Sequence, residues 1–515
     1  MMAIASHGLL LRRPTCRAFS SLACCGIKPS MICDAKYIHH VDGNIPSNRA
    51  YEAPVASRKR GLTSSRSMST SANRSGDGEA TFDLKGKIEI VNPVIELKGD
   101  GISRKLWEMV KNKMIKPFLD MKLIKHDLSY SNFQKLGDAI LDPIIDDLQK
   151  YNVAIKCSTY DPMSSMIRVE GMEHSYSHSS VALCNRLHGA RFVEPIIIEN
   201  VRRLIPTWYK PIIVANHVFG DRYRDKALIV PGDGTVELVY KERGSNEPTL
   251  AKKVTEFNEG VGGICLGMYA SQKSMISFAR CCFRYCVSHG LPLYLSIKNA
   301  KMLTYDGAFK EAFDTAYEEF RGDFGRKGLW YETLKFDRMV SQVLKSEGGF
   351  LWACKNYEGD VNSDLISAGF GSKWLTTHSY LSEDHKMCMV EPGHGPIQMS
   401  EAEEMLEKIT ANPLAIIFTW TRALKFRARL DRNARLERFC LDLEAAAVET
   451  VESGIFTKDL VKATESHKAP QYGEDYLCTT EFLDVILKNL KVKLVSFQQP
   501  RRFDAASRSL SDMSY

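Results

Sequence analysis

The sequence predicts an α/β fold with two domains, on three observations. Strand and helix signals alternate along the chain, which is typical of a sheet with helices on both faces. The 515 residues are 44% hydrophobic, enough to fill the cores of two ordinary domains. No apolar run reaches the ~18 residues of a membrane-spanning helix, so no membrane span is expected.

The elements follow in order from local patterns. Residues 87–91 and 94–97 predict a first strand region, and a helix is expected from Ser103. Residues 123–130 predict a strand, residues 139–151 a helix and residues 153–157 a further strand. The alternation of apolar and polar residues across 227–257, around Gly232 and Gly234, predicts a β-hairpin. No internal repeat or glycine-rich phosphate motif is present, so a standard dinucleotide-binding fold is not indicated.

Composition excludes several classes of protein. The net charge of +7 is modest and comes partly from the amino-terminal segment, so it does not indicate nucleic-acid binding. Fourteen cysteines in a chain of this length lack the density of a secreted disulfide framework, and reduced thiols are expected. The sequence contains no Cys-x2-Cys pair, the spacing that would suggest a zinc site.

The amino-terminal segment, residues 1–84, differs from the rest. No acidic residue precedes Asp34, whereas Arg12, Arg13, Arg17 and Lys28 stand among serine, alanine and leucine. This composition is typical of a mitochondrial transit peptide followed by a disordered segment. A plastid address, a cytosolic location or a true start at Met68 are the alternatives. Residues 495–515 are expected to form a carboxyl-terminal tail.

The most informative stretch is 345–364, KSEGGFLWACKNYEGDVNSD. Residues 350–354 predict a buried strand, and a helix starting near Gly359 would place Asp360 and Asp364 on one face. Asp337 is expected near the start of the preceding helix, whose apolar residues face inward; these are Met339, Val340, Val343 and Leu344. Three converging carboxylates suit Mg²⁺ or Mn²⁺. Taken alone, an Asp-x3-Asp pair is more often a solvated first helical turn, favoured by the helix dipole.

This stretch resembles the dimeric eukaryotic NADP-dependent isocitrate dehydrogenases. Four other stretches resemble the same family. They are KPIIV with the following His and GDRY, LPLYLSIKNAKMLTYDG, ANPLAIIFTWTRAL and AVETVESGIFTKDL. The resemblance runs colinearly over about residues 85–494. It implies an isocitrate/isopropylmalate dehydrogenase-like fold with a large and a small α/β domain and a β-rich dimer clasp. The implied bounds are 85–188 with 371–494 for the large domain, 189–220 with 273–370 for the small domain and 221–272 for the clasp. The cleft between domains is then the expected binding site.

The resemblance also implies a chemistry, the metal-dependent and NADP-linked oxidative decarboxylation of isocitrate. The implied Mg²⁺ or Mn²⁺ ligands are Asp337 of one subunit with Asp360 and Asp364 of the other. Lys298 and Tyr223 match the family's general base and general acid. All five residues are present. Alone, Lys298 is also typical of an exposed strand end, and Tyr223 of a half-buried ring.

The residues that would bind the substrate are altered. Where the family has Ser-x-Asn-x3-Arg-Asn, this chain has His178, Ser180 and Cys184 in place of the serine, the asparagine and the arginine. The arginine of the family's FREP motif is Val193, and that of its GRH motif is Asn216. At about 1.5–3 kcal/mol per charged hydrogen bond, three lost arginines remove roughly 5–9 kcal/mol. Isocitrate affinity should fall by about a thousandfold to a millionfold.

Two nearby arginines leave an alternative open. Arg191 is two residues from Val193 and Arg186 two from Cys184, so on a strand each would share its neighbour's face. A shifted substrate could use them, or they are ordinary surface arginines.

The nucleotide site is altered as well. The family's HGTVTRH motif, which holds the 2′-phosphate, is HGPIQMS here, with Met399 in place of its arginine and Pro396 removing a backbone donor. Asp161 replaces a threonine. The residues that match cofactor contacts and are kept are Lys156, Thr159, Gln342, Lys345, Gly395 and Asn412. NADP, NAD and no cofactor all remain open.

Two functional hypotheses follow. The first is a structural or regulatory paralogue with weak or no isocitrate turnover, either a homodimer or a heterodimer with an active paralogue. The second is an active NAD(P)-dependent dehydrogenase of isocitrate, or of another small-molecule 2-hydroxy acid, with rearranged anion contacts.

Overall fold

The computed structural model describes residues 86–160, 179–221, 226–258, 260–298, 302–397, 408–464 and 470–496. These residues belong to one compact unit, residues 81–515. The expected transit peptide and residues 497–515 of the expected carboxyl-terminal tail lie outside the described residues, as do Asp161, His178, Tyr223 and Met399, whereas residues 495 and 496 end the last helix.

Ten strands form one sheet, and the other four form two separate pairs. The strands are β1 Ile88–Lys98, β2 Leu119–Asp127, β3 Val153–Lys156, β4 Gly189–Pro195, β5 Ile212–His217, β6 Lys226–Val230, β7 Gly234–Tyr240, β8 Leu250–Phe257, β9 Gly263–Gly267, β10 Leu293–Ile297, β11 Tyr331–Lys335, β12 Phe350–Cys354, β13 Thr376–Ser382 and β14 Cys388–Pro392. The large sheet has the order β11-β10-β12-β5-β4-β13-β14-β3-β1-β2. The strands toward each end of this sheet pair in parallel, whereas the four central strands, β14, β13, β4 and β5, pair antiparallel with one another.

Helices connect these strands and pack on the sheet. They are α1 Gly101–Val110, α2 Tyr130–Leu136, α3 Leu141–Tyr151, α4 Ser179–Leu187, α5 Gln272–His289, α6 Leu303–Arg326, α7 Phe336–Lys345, α8 Asn356–Gly369, α9 Leu414–Asp431, α10 Ala434–Glu452, α11 Lys458–Thr464 and α12 Thr479–Ser496. In the described part of the chain, no helix has the length and apolar character to cross a bilayer. A mostly parallel sheet with helices on both faces confirms the predicted α/β class.

The sheet separates three apolar clusters. Alternate residues of each strand point to opposite faces. Phe192 of β4 and Leu351 of β12 point to one face of the sheet and lie in the largest cluster. On the other face, Ala154 of β3 belongs to a second cluster and Val193 of β4 to a third. The candidate site lies between these last two clusters.

The central prediction from the sequence is confirmed locally. Residues 350–354 form β12, which is fully buried, and α8 carries Asp360 and Asp364 one turn apart. Gly348 and Gly349 turn the chain into β12 with φ of 85° and 83°, a region that glycine adopts without strain. Asp337 is the second residue of α7. The expectation that Leu344 faces inward is wrong, because its side chain is 45% exposed while Met339 and Val343 are buried.

The predicted hairpin across Gly232–Gly234 is also wrong. β6 pairs with β9, and β7 pairs with β8. Pro231 directly follows β6 and has no N–H with which to continue a ladder, so the chain leaves the strand there. Gly262 approaches β6 closely enough that a Cβ would lie 2.0 Å from the carbonyl oxygen of Val230. The hairpin therefore forms one strand later.

The strands of the two predicted domains occupy different halves of the sheet. Residues assigned to the small domain supply β11, β10, β12, β5 and β4, and those assigned to the large domain supply the remaining five. The boundary falls between β4 and β13. The domain bounds themselves stay a prediction.

Candidate functional site

A cavity of about 220 Å³ opens on the sheet face between the second and third apolar clusters. It is lined by residues of β3, β4, β13, β14, α4 and α8 and by the segments that follow β3 and β14. The lining residues are Lys156, Ser158, Thr159, Ser180, Arg191, Asp360, His378, Tyr380, Glu391, Pro392, Gly393, His394 and Gly395. The space suits a small organic acid, since sites for drug-sized ligands span roughly 300–1,000 Å³.

A buried carboxylate, Glu391, organises one end of this cavity. It accepts hydrogen bonds from the Nζ of Lys156 at 2.9 Å, the Oγ of Ser180 at 2.8 Å and the hydroxyl of Tyr380 at 2.7 Å. Burial is the main reason that the pKa of Tyr380 lies well above its usual value, so the phenol stays a donor. The charge of Lys156 is therefore balanced within the protein.

The other end of the cavity is organised by Arg191 and Asp360. The Nη2 of Arg191 forms a short ion pair with an Oδ1 of Asp360, 169 positions away. The register places Arg191 between Tyr380 of β13 and Asn216 of β5, on the same face. With its amide oxygen toward Arg191, Asn216 accepts a hydrogen bond from the Nε at 3.2 Å and donates to the carbonyl oxygen of Gly359 at 3.3 Å.

Helix α8 reaches this row of side chains because Gly359 has none of its own. A Cβ at Gly359 would lie 2.1 Å from the side-chain amide of Asn216. The backbone of α8 can therefore lie directly against β5, which brings Asp360 to Arg191.

The two remaining metal-ligand candidates are exposed. Asp364 is exposed on α8, one turn after Asp360. Asp337 is exposed at the start of α7, and its Oδ1 lies 3.6 Å from the Nζ of Lys298. Within the residues described, no three His, Cys, Asp or Glu side chains form a group that could hold a metal ion. The carboxylate donors themselves are hard oxygen ligands of the kind that Mg²⁺ and Mn²⁺ take.

Lys298 is positioned by α6 through its backbone. The fully buried Asp306 accepts from the backbone N–H of Lys298, and it also pairs with the buried Lys355. The segment that carries Lys298 is therefore held by a network that links β10, α6 and the start of α8. Tyr223, the other predicted acid/base residue, lies outside the described ranges.

The positions that match the family's arginines are all buried and uncharged. Cys184 lies in the second apolar cluster, Val193 in the third, and Asn216 is bound as described above. Burial raises the pKa of the Cys184 thiol well above its usual value. Ser180, in place of the family's asparagine, binds Glu391. His178 is outside the described residues.

One of the two alternative arginines is placed in the cavity and the other is not. Arg191 lies on a strand and shares the face of Val193, as the period of two predicts. Arg186 would share the face of Cys184 only on a strand, and residues 179–187 form helix α4, where positions two apart diverge. Its guanidinium pairs with Asp142, away from the cavity.

The predicted cofactor residues fall into three groups. Lys156, Thr159 and Gly395 line the cavity. Gln342 and Lys345 are exposed on α7. Asn412 is buried and already used, because it donates to Asp459 at 2.7 Å and accepts from the N–H of Leu414 at 2.9 Å.

Sequence reasoning missed two buried groups, Glu391 and His394. Burial lowers the pKa of His394 to about 4, and its ring stacks on Trp374 with centroids 4.4 Å apart. Its Nε2 has no hydrogen-bond partner among the described residues. A charged residue within the apolar run of β14 was the available signal for Glu391.

Comparisons with known proteins give the family. Residues 89–484 match the isocitrate/isopropylmalate dehydrogenase family. The chain is 39% identical over 406 residues to the mouse protein named isocitrate dehydrogenase [NADP], mitochondrial. These aligned residues cover 78% of this chain and 89% of the mouse protein. The pig protein of the same name is 38% identical over 406 residues, with 78% of this chain and 96% of the relative covered. The human one is 38% identical, with 78% and 89% covered. The chain therefore belongs to the isocitrate/isopropylmalate dehydrogenase family, as a divergent member related to the NADP-dependent isocitrate dehydrogenases.

Proposed function

We propose that this chain keeps the metal site of its family but turns over isocitrate weakly or not at all, and acts as a structural or regulatory paralogue. One observation carries the proposal. The three positions that match substrate arginines hold Cys184, Val193 and Asn216, all of them buried. None of these side chains can supply the positive charge that a tricarboxylate requires.

The surroundings of these residues support the same conclusion. Val193 packs with Trp208 and Val214 in the third apolar cluster, and Cys184 packs with Leu183 in the second. A carboxylate placed against either cluster would lose its water without gaining a partner, which costs several kcal/mol.

The metal and acid/base residues have defined roles in this proposal. Asp360 and Asp364 of one subunit, with Asp337 of a second copy, would hold Mg²⁺ or Mn²⁺. The ion supplies Lewis-acid polarisation of a substrate hydroxyl when bound. Lys298 would take the hydroxyl proton and Tyr223 would protonate carbon. Lys298 is supported in this role by the contact that its backbone makes with Asp306.

The exposed clasp supports a dimer. Apolar side chains of β6–β9 point to solvent in the single chain, among them Ile229 at 78% and Leu238 at 62% exposure. A homodimer would cover them, and so would a heterodimer with an active paralogue. The relatives named mitochondrial and the basic amino-terminal segment support a mitochondrial location. NADP is the proposed nucleotide, with NAD or none as alternatives, since Lys156, Thr159 and Gly395 line the cavity.

The placement of Arg191 is the observation that favours a second function. Its guanidinium lies in the cavity, so the chain could be an active dehydrogenase of isocitrate, or of another 2-hydroxy acid, with shifted anion contacts.

The two candidates are separated by one assay. Purified protein is mixed with Mn²⁺, isocitrate and NADP, and NADPH absorbance is followed, with the pig mitochondrial enzyme as the positive control. We expect negligible NADPH from this chain. Robust turnover would contradict the paralogue proposal and favour the second function.

A further inference from the structure

The first turn of α6 lies where three neighbouring parallel strands end. β10 pairs with β12 and β12 pairs with β5, all in the same direction, so their carboxyl ends meet at one edge of the sheet. In α/β sheets this is the edge that carries the functional groups. Two consecutive residues of the turn, Tyr305 and Asp306, bind residues at different strand ends, so the turn joins segments that are far apart in the chain.

Asp306 binds the two residues that directly follow β10 and β12. One oxygen of its fully buried carboxylate accepts a hydrogen bond from the backbone N–H of Lys298, and the other accepts from the ammonium group of the buried Lys355. A buried ion pair of this kind is costly to break, because each charge would be left without a partner. Asp306 therefore fixes the backbone from which the Lys298 side chain extends.

Tyr305 ties the same turn to the end of β5. Its hydroxyl donates to the Oδ1 of Asp221, and burial is the main reason that the pKa of this phenol is raised, so it stays a donor. The Oδ2 of Asp221 lies 2.8 Å from the Nδ1 of His217, the last residue of β5. The Nε2 of His217 lies 3.3 Å from the Oγ of Ser274, in the first turn of α5. The turn of α6 is thus anchored in the interior through buried polar groups.

The backbone of Asp221 adopts an uncommon conformation. Its φ is 45°, in the left-handed region that residues other than glycine seldom occupy. The N–H of Asp221 donates to the carbonyl oxygen of Tyr269 at 2.7 Å, so both its backbone and its side chain are bound. Rare conformations that the surroundings fix in this way cluster at functional sites.

The contact between Lys298 and Asp337 depends on the backbone that carries each residue. The two side chains are 53% and 72% exposed, and the Nζ of Lys298 lies 3.6 Å from the Oδ1 of Asp337. An ion pair this exposed contributes little by itself to holding its members together. The placement of Lys298 is therefore determined by the hydrogen bond from its backbone to Asp306.

We propose that Tyr305 and Asp306 are positioning residues for Lys298. Asp306 fixes the backbone of Lys298, and Tyr305 fixes the turn that carries Asp306 by binding Asp221. Neither side chain is among the residues that line the cavity, so both act through Lys298 and not on a ligand. This inference rests on the role of Lys298 in the proposed function, which is the transfer of a hydroxyl proton, and it requires no bound metal ion.

The test measures the proximity of Lys298 and Asp337 in the full-length protein. A water-soluble carbodiimide joins an amine to a carboxylate that contacts it, with loss of water, and the cross-linked peptides are quantified by mass spectrometry. The exposed pair of Lys210 and Glu347, whose Nζ and Oε2 lie 3.7 Å apart, gives an internal reference in every sample. The unmodified chain should give both cross-links.

Tyr305→Phe removes only the hydroxyl that binds Asp221. We expect the cross-link between Lys298 and Asp337 to fall by about threefold or more relative to the reference. The reason is that a hydrogen bond to a charged group shifts a local equilibrium by about tenfold or more.

Asp306→Asn removes the charge that pairs with Lys355 and should lower the cross-link at least as far. Tyr331→Phe is the matched control, because it also removes a hydroxyl that donates to an aspartate of α6, Asp314 at 3.2 Å, but beyond the first turn. Its cross-link ratio should equal that of the unmodified chain. A purely stabilising network would instead lower the melting temperature in all three variants and leave every ratio unchanged.

Each outcome decides the proposal. An unchanged ratio in Tyr305→Phe would overturn the role of Tyr305, and a cross-link absent from the unmodified chain would overturn the placement of Lys298. Thermal unfolding checks that each variant is folded, and Tyr305→Phe carries the test if Asp306→Asn is not. Cross-linking does not depend on NADPH formation. Robust isocitrate turnover would therefore contradict the proposed function and leave the positioning of Lys298 standing, and an unchanged ratio would do the reverse.

Discussion

The Nζ of Lys298 lies 3.6 Å from a carboxylate oxygen of Asp337, at the ends of two elements that belong to the same chain. Asp360 is paired instead with Arg191. The candidate residues thus form two pairs, and no described group of three could hold a metal ion in one chain. In the proposed metal site, Asp337 comes from a second copy of the chain.

Asp337 should contribute to metal binding from across the dimer. We expect Asp337→Asn to weaken Mn²⁺ binding by at least about tenfold, because even outer-shell partners of a metal contribute that much. Calorimetric titration of Mn²⁺ measures the change. Asp323→Asn, which removes an exposed carboxylate paired with Arg326, is the matched control. An unchanged affinity in Asp337→Asn would leave the ion to Asp360 and Asp364 alone.

The clasp should hold the dimer through its apolar side chains. The double variant Ile229→Glu, Leu238→Glu places two charges on surfaces that a second copy would cover, so we expect monomers in light scattering after size exclusion. Val492→Glu, which changes an equally exposed residue of α12, should leave the dimer intact. The monomeric variant should also lose the Mn²⁺ affinity that depends on Asp337. A dimer that persists in the double variant would place the interface elsewhere.

Two buried histidines should make stability depend on pH. Burial lowers the pKa of His385 and of His394 to about 4. In the unfolded chain each binds a proton near its ordinary pKa of about 6.5, whereas the folded chain does so only near pH 4. The stability that depends on keeping these two rings neutral is therefore fully present above about pH 6.5 and falls as the pH drops toward 4.

Urea unfolding at about pH 7 and about pH 5 should show a loss of roughly 2 kcal/mol per histidine. His394→Gln should reduce the total loss by roughly 2 kcal/mol, and His126→Gln, at a half-buried residue beside Asp147, is the matched control. An acid-induced loss that is unchanged in His394→Gln would show that this ring is not kept neutral by the fold.

Local patterns predicted the local features of the fold. The apolar run at 350–354 and the spacing of Asp360 and Asp364 gave β12 and one face of α8, because each depends on neighbours within a few residues. The period of two also placed Arg191 on the face of Val193.

Features that depend on contacts between distant parts of the chain could not be predicted from local patterns. The pairing of β6 with β9 depends on a strand more than thirty residues away, so a turn signal at Gly232 was misleading. The face of Arg186 could not be assigned because a short run can be a helix or a strand. The bond between Arg191 and Asp360 joins elements that only the folded sheet brings together.

The backbone of Arg191 is fixed by a neighbouring strand on each side, at the Tyr380 and Asn216 positions. The guanidinium can therefore change its position only by rotation about side-chain bonds, because the sheet holds the backbone. The positive charge that Arg191 brings to the cavity is thus fixed in place by the sheet itself.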